Sequence, residues 1–348
     1  MCIRDRSSAE FEAMRRTMGD SACVVDATFK IANGEGGLRR ALERIRREAE
    51  EGVRAGCTHV ILTDEAMSPE RAPIPMILAT GAVHTHLVRQ SLRTFTSLNV
   101  RSSECLDVHY FAVLVGVGAT TVNAYLAQEC IADRHARGLF GTLSLKECVA
   151  RYKKAVDKGL LKVMSKMGIS VISSYRGGYN FEAIGLSRAL VGEFFPGMPS
   201  RISGIGLPGI AHKVLELHEK AWSGNVVTLD VGGQYRLRRS GEAHAFDNNA
   251  IHLLQTAVGT GSYRMFKKYS EMVRKQKPVA LRDLLDFRTE GRAAISVDEV
   301  ESITEIRKRL LAPGISLGAL SPEAHETLSI AMNRIGARSD SGEGGEDP

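Results

Sequence analysis

What most limits the fold of this chain is an alternation: short β-branched runs and amphipathic helices follow one another through links of a few residues. Cys23-Val-Val-Asp26 is a compact apolar run, and a turn containing Gly34, Gly36 and Gly37 follows it. Leu38, Ala41, Leu42, Ile45, Ala49 and Val53 then recur at spacings of three and four, which marks one face of a helix. Gly56 supplies a C-terminal stop, and His59-Val-Ile-Leu-Thr63 reads as a buried strand running into Asp64. Strand, helix and strand with short links require parallel pairing through a right-handed crossover. An α/β fold with a parallel sheet is therefore expected.

The alternation continues downstream. Pro73-Ile-Pro75 leads into a helix through His84 to Leu92, Phe95–Val100 reads as a strand, Leu106–Val115 as a helix and Ala119–Val122 as a short strand. Ser144-Leu-Lys-Glu147 is a capping box that opens a helix to about Lys166, stopped by Gly168. Ile169–Ser173 reads as a further strand, ending at Tyr175-Arg-Gly-Gly178. After residue 222 the texture changes. Val226–Asp230 and Tyr235–Arg238, joined by Gly232-Gly233, read as a hairpin, and Asp247–Leu285 as helices with polar breaks. Ser296-Val-Asp-Glu299 is a second capping box, expected to open a helix to about Leu311; Ile315–Leu320 then reads as a strand. Ser321-Pro-Glu323 starts a last helix, to Arg334, which Gly336 ends. A β-α-β start with nothing after it to cover its sheet faces reads as a domain cut off inside itself.

Composition excludes several classes. The 348 residues are 43% apolar and carry 46 Lys and Arg against 40 Asp and Glu, a net charge of +6. This is the balance of ordinary globular protein, with length for two domains, and it excludes collagen, global disorder and a disulfide scaffold. No apolar run approaches the roughly 18 residues of a spanning helix. The basic residues are interspersed with acids and lack interleaved aromatics, so neither nucleic acid nor membrane is an expected partner. The cysteines at 2, 23, 57, 105, 130 and 148 form no CxxC and no metal-ligand spacing. Reduced thiols in the cytoplasm are expected. Met1–Arg6 lacks the apolar core of a signal peptide and reads as a non-native leader.

Three local patterns bear on chemistry. Gly204-Ile-Gly206-Leu-Pro-Gly209, followed by a helix and then by Asp230, fits the dinucleotide fingerprint and raises the alternative of an NAD(P)-binding oxidoreductase. Against it, Phe195-Pro-Gly-Met-Pro-Ser-Arg-Ile-Ser203 makes a poor central strand, and Pro208 removes one phosphate-binding N–H. A structural Gly-Pro turn is preferred. His84 and His86 lie two apart on a helix, so one metal would not see both, and core or interface roles are expected. Ser341-Gly-Glu-Gly-Gly-Glu346 permits close backbone approach to a ligand, with carboxylates suited to ring N–H groups or a protonated nitrogen; by composition alone it is an acidic tail. No Ser–His–Asp set, nucleophile elbow or phosphate loop occurs, which leaves a purely structural module as a further reading.

A resemblance goes further. Val25-Asp-Ala-Thr-Phe29, Ala72-Pro-Ile-Pro75, Gly81-Ala-Val-His84, Val108-His-Tyr-Phe-Ala112, Gly159–Ser170 and Ser174-Tyr-Arg-Gly-Gly178 resemble the central domain of glutamate synthase large subunits. Gly314–His325 and Ala331–Arg334 through Glu346 resemble the first β-α-β of their FMN-binding (β/α)8 barrel. The likeness is collinear from about residue 20 to the end. Thr63-Asp64, where the family more often has Ser-Asp, and Cys105-Leu-Asp107 depart from the pattern in the scaffold only.

After the leader at 1–6, the resemblance implies an incomplete barrel-like central domain at 7–222, a connecting region at 223–295 and a truncated barrel start at 296–348. It implies an enzyme that makes two glutamates from glutamine and 2-oxoglutarate, by FMN-dependent reduction of 2-iminoglutarate. Its implied cofactors are FMN and a 3Fe-4S cluster whose ligands lie outside this chain. Its implied partners are an amidotransferase domain, the rest of the barrel, and a reductase subunit or ferredoxin. Ser316, Leu317, Gly318 and Ala319, with Ser341, Gly342, Gly344 and Gly345, are the implied flavin contacts. Glu343 and Glu346 are the implied catalytic carboxylates. Arg176–Gly178 and Ala72–Pro75 are possible tunnel or interface walls. The chain alone is expected to be inactive.

Overall fold

The computed structural model of the chain describes residues 7–224, 231–233 and 236–342. Two compact units divide between residues 229 and 230. The first opens with α1 (Ser8–Met18), a helix not expected from the sequence. The Ser7 hydroxyl accepts from the Glu10 N–H, and Glu10 Oε2 accepts from the Ser7 N–H. There follow β1 (Ala22–Asp26), β2 (Thr28–Lys30), α2 (Glu35–Arg54), β3 (His59–Thr63), β4 (Arg71–Pro73), α3 (Met76–Arg89), β5 (Ser97–Arg101), α4 (Val108–Gly116) and β6 (Thr121–Asn123).

The expected parallel sheet is present, in the order β1-β3-β5-β6. Each new strand lies beside the last, as in a barrel segment. The order never reverses, so the sheet has no switch point of the kind where doubly wound folds open a ligand crevice. β2 and β4 form a separate antiparallel pair.

The register aligns Val25, Leu62, Val100 and Val122 across the four strands. All four are at most 2% exposed and join one core with Leu38, Leu42 and Ile45 of α2. At about 25 cal/mol per Å², burial of such side chains is the main force holding this layer. The neighbouring row, Val24, Ile61, Asn99 and Thr121, belongs to the opposite face. That face is largely polar. The Thr121 hydroxyl donates to Asn99 Oδ1 at 2.7 Å, and Asn99 Nδ2 donates to Ser97 Oγ at 2.9 Å. Arg101 lies over the ring of Phe11 from α1, at 5.5 Å.

The unit continues through α5 (Tyr125–Ala136), α6 (Leu145–Lys166), α7 (Ile172–Tyr175), β7 (Ile184–Leu186), α8 (Arg188–Phe194), β8 (Ile202–Ile205) and α9 (Leu207–Trp222). The Ser144–Glu147 capping box opens α6 as expected. The expected strand at Ile169–Ser173 is absent. The N–H groups of Gly168 and Ile169 bond back to the Ser165 and Met164 carbonyls, finishing the helix, and a helical turn occupies Ile172–Tyr175.

The second unit contains α10 (Asn248–Thr260), α11 (Tyr263–Lys275), α12 (Ile303–Arg307) and α13 (Pro322–Arg334). Asp247 caps α10, Gly261 ends it in the left-handed region, and Ser262 caps α11. The expected helix from Ser296 to Leu311 is broken. Ser296 accepts from Asp298 and holds one tight turn, while the competing Ser302 caps Glu305 and starts α12. The expected strand at Ile315–Leu320 is instead a tight helical turn at Leu317–Ala319. Pairing has moved upstream, to a single parallel bridge between Leu311 and Arg338. The Ala312 N–H donates to the Arg338 carbonyl at 3.0 Å, and the Arg338 N–H to that of Leu310 at 3.1 Å. With α13 between, this is a β-α-β step reduced to its smallest form. Of the expected hairpin, Val226–Asp230 and Tyr235 lie outside the described residues, as does the leader Met1–Arg6.

Candidate functional site

Two segments of the second unit that the sequence singles out come together. Asp340 Oδ1 accepts from the Gly342 N–H at 2.8 Å, turning the chain so that Gly342 sits at φ +66°. A Cβ on Gly342 would lie 3.2 Å from the Ile315 nitrogen and 3.3 Å from the Ser316 nitrogen. The backbone at 342 therefore rests against the backbone at 314–316, an approach that a side chain would obstruct. His325 of α13 buttresses it: Nε2 lies 3.1 Å from the Ile315 carbonyl, so that nitrogen carries the proton. The Ser329 and Ser339 hydroxyls meet at 3.1 Å.

Of the expected flavin contacts, Ser316 and Leu317 are half-buried, while Gly318, Ala319, Ser341 and Gly342 are exposed. Ser316 and Gly342 are adjacent. Gly344, Gly345 and the expected catalytic Glu343 and Glu346 lie outside the described residues. Among the described residues the ledge is thus small-residue backbone with few side-chain functions.

The other place where an α/β sheet gathers function is the carboxyl edge of its strands. Here that edge is stitched shut. Asp64, after β3, is fully buried; it accepts from the Ser103 N–H at 2.9 Å and the Ser103 hydroxyl at 2.8 Å, beyond β5. Burial raises its pKa above the usual carboxylate value, against the lowering effect of Ser103 and Tyr125. Glu104 accepts from the Met76 N–H at 2.8 Å and from the Tyr110 hydroxyl, joining the start of α3 to α4. Asp26 accepts from Thr28 and pairs with Arg71, and Arg101 pairs with Glu12 and Glu65. These carboxylates hold loops and backbone. Sequence reading misses the Asp64–Ser103–Tyr125 link; the signal for it is the polar triplet that ends β3 and β5, Thr63-Asp-Glu65 and Arg101-Ser-Ser103.

The remaining patterns resolve as packing. Gly204 lies inside the exposed β8, and a Cβ there would fall 2.1 Å from the Gly185 carbonyl oxygen of the paired β7. That glycine serves strand approach, and the sheet it belongs to has two strands. Asp230 lies outside the described residues. His84 and His86 have different partners, Arg93 for the first and Glu50, at 2.6 Å, for the second. Among the described residues no cluster of three or more His, Cys, Asp or Glu is placed to hold a metal ion. No helix of the described residues is long and apolar enough to cross a membrane.

Comparison with known proteins supplies what the geometry leaves open. Residues 3–187 match the glutamate synthase central domain, and residues 244–348 match a conserved region in glutamate synthase. The chain is 68% identical over 342 residues to the NADPH glutamate synthase large chain of Azospirillum brasilense, covering 98% of this chain and 22% of that protein. It is 41% identical over 312 residues to the corresponding chain of Bacillus subtilis, covering 89% of this chain and 20% of the relative. Against the chloroplastic ferredoxin-dependent glutamate synthase of Spinacia oleracea it is 39% identical over 355 residues, covering 98% and 22%. The chain spans about a fifth of the length of these curated relatives. On these matches, and on its parallel α/β sheet, the chain belongs to the glutamate synthase family.

Proposed function

We propose that this chain serves a glutamate synthase large subunit as its central domain (7–222), connecting region (223–295) and barrel start (296–348). The reaction is reductive transfer of the glutamine amide nitrogen to 2-oxoglutarate, giving two L-glutamates through 2-iminoglutarate. The observation that carries the reading is the approach of Asp340–Gly342 to Gly314–Ser316, within the region that matches the conserved glutamate synthase segment.

What supports FMN at this ledge is the small, exposed surface of Gly318, Ala319, Ser341 and Gly342, beside the close backbone approach of Gly342 to 314–316. When bound, FMN supplies hydride to the imine carbon. Ser316, Leu317, Gly318, Ala319, Ser341, Gly342, Gly344 and Gly345 would line it and keep bulk away from its plane. Glu343 and Glu346 would accept hydrogen bonds from a ring N–H or from the protonated imine nitrogen, orienting the carbon that is reduced. The described thiols do not supply an iron–sulfur ligand set.

The first unit has a different part. The carboxylates at its strand ends are committed to backbone, loop and ion-pair contacts, which suits a rigid wall between the site that releases ammonia and the site that consumes it. The partners are then the amidotransferase domain and the rest of the barrel. The electron donor is a reductase subunit or ferredoxin; relatives carry both NADPH and ferredoxin in their names.

In the full-length subunit, Glu343→Ala should abolish glutamate formation while glutamine hydrolysis persists. Unchanged synthase turnover would remove Glu343 from the site. The 348-residue chain alone should neither hold FMN tightly nor turn over, and its purification with stoichiometric flavin would overturn that expectation.

A further inference from the structure

Two thiols that lie far apart in the sequence, Cys23 and Cys57, meet at the amino-terminal end of the sheet. Cys23 pairs in register with Val60 of β3 and stands two residues before Val25, so its side chain is on the face that packs against α2. There α2 carries Gly52. A Cβ on that glycine would lie 2.7 Å from Cys23 Sγ and 3.1 Å from Cys23 Cβ. The bare backbone at 52 is what lets the sulfur rest against the helix.

Cys57 reaches the same glycine from the end of the helix. Gly56, at φ +100°, turns the chain out of α2, and the Cys57 N–H donates to the Gly52 carbonyl at 3.0 Å. One residue on, the Thr58 N–H donates to the Ser21 carbonyl at 2.9 Å, which anchors the loop beside the start of β1. Backbone bonds therefore hold both sulfurs around Gly52. The thiols also act on one another: burial first, then the nearness of Cys57 and a hydrogen bond with it, push Cys23 up to about 11. At neutral pH Cys23 is a thiol and not a thiolate. Both residues are half-buried, whereas Cys105 and Cys148 are buried and Cys130 is exposed. Cys57 also lines a cavity of about 490 Å³, together with Val53, Gly56, Thr58, Leu92 and Phe95. A small reagent entering that cavity meets the Cys57 sulfur first.

We propose that Cys23 and Cys57 form a reversible dithiol–disulfide pair, closed by a low-molecular-weight disulfide of the glutathione type. In the first step the Cys57 sulfur, as thiolate, attacks one sulfur of the reagent; a mixed disulfide forms and one glutathione thiolate leaves. In the second step Cys23 gives its proton to solvent and its sulfur attacks that of Cys57, expelling the other glutathione thiolate. The two cysteines lose two electrons and two protons, and the two glutathione thiols receive them. The new bond ties the first strand to the loop at the end of α2, and excess dithiol reverses it.

Incubation of the reduced 348-residue chain with oxidised glutathione, followed by alkylation, digestion without reduction and mass spectrometry, tests the pair. The expected product is a cross-linked peptide that contains Cys23 and Cys57 and disappears after dithiothreitol. Cys23→Ser should stop the reaction at one glutathione on Cys57. Cys57→Ser should slow modification of Cys23 by about tenfold or more relative to that of Cys57 in the parent, since Cys23 is seldom a thiolate. Recovery of both cysteines as alkylated peptides, under conditions that modify the exposed Cys130, overturns the proposal. So does a linkage between them that forms only in denaturant, or a folded Cys57→Ser variant whose Cys23 reacts as fast as Cys57 does in the parent. Should either variant not fold, the digest of the parent chain decides by the same two outcomes, linked or alkylated.

Discussion

Leu62 and Leu285 carry the same side chain and have opposite fates: Leu62 is fully buried, whereas Leu285 is 71% exposed. The difference holds across the two units. In the first, the strands, α2, α3 and α4 share one core that includes Phe111, Leu98 and Val83. In the second, the buried apolar residues among those described are Ala250, Ala257, Ala312 and Ala337, while Phe287, Val297 and Leu281 are 92%, 85% and 78% exposed. A hydrophobic pattern becomes structure only where another apolar face meets it, and the second unit has its pattern without enough opposing surface.

The contrast can be broken by substitution, and the largest effect belongs to the first unit. Leu62→Ala should cost about 2–5 kcal/mol of unfolding free energy in a denaturant titration, because it removes packing atoms from a filled core. A cost below 1 kcal/mol, far under the expected range, would mean that this core is looser than its burial indicates. Gly118→Ala should cost about 3 kcal/mol, since the new methyl meets the His84 ring on a backbone already at φ +122°. Asp64→Ala should cost about 2 kcal/mol by leaving the Ser103 N–H without its buried acceptor.

A smaller effect is one of pH. His84 has a folded value of about 4 against an ordinary 6.5, so the fold favours the neutral ring. The stability this gives is full above 6.5, declines as pH falls below 6.5, and is lost below about 4. His84→Gln should flatten thermal stability over that window, and an unchanged slope would place the acid sensitivity elsewhere. Smallest is Leu285→Ala in the second unit, expected to change stability by less than about 0.5 kcal/mol. A cost like that of Leu62→Ala would erase the contrast between the units.

Legibility follows the same division. β1, α2 and β3 could be read almost to the residue, because their periodicities are strong and each finds its partner in the adjacent crossover. The caps at Ser144 and Ser321 were legible because side chain and backbone agree locally. What could not be read depends on competition or on distance. Ser302 outcompetes Ser296 for the cap, the Ile169 N–H is taken by the end of α6, and pairing shifts from 315–320 to Leu311 because Arg338 meets it there. The polar face of the sheet was hidden for another reason: Asn99 and Ser97 sit in a strand whose other face is apolar, so only the register shows that they stand opposite Thr121 and His59. At the candidate site, glycine spacing and the resemblance gave Ser316 and Gly342; their contact needed coordinates.

We assign flavin chemistry to the ledge of the second unit, where Gly342 permits the close backbone approach to 314–316, and not to the sealed sheet edge of the first. Flavin content of the full-length subunit carrying Gly342→Val tests it most directly. The expected result is folded protein with little bound FMN and no glutamate formation, while glutamine hydrolysis continues. A Gly342→Val subunit that keeps stoichiometric FMN and full synthase turnover would contradict it.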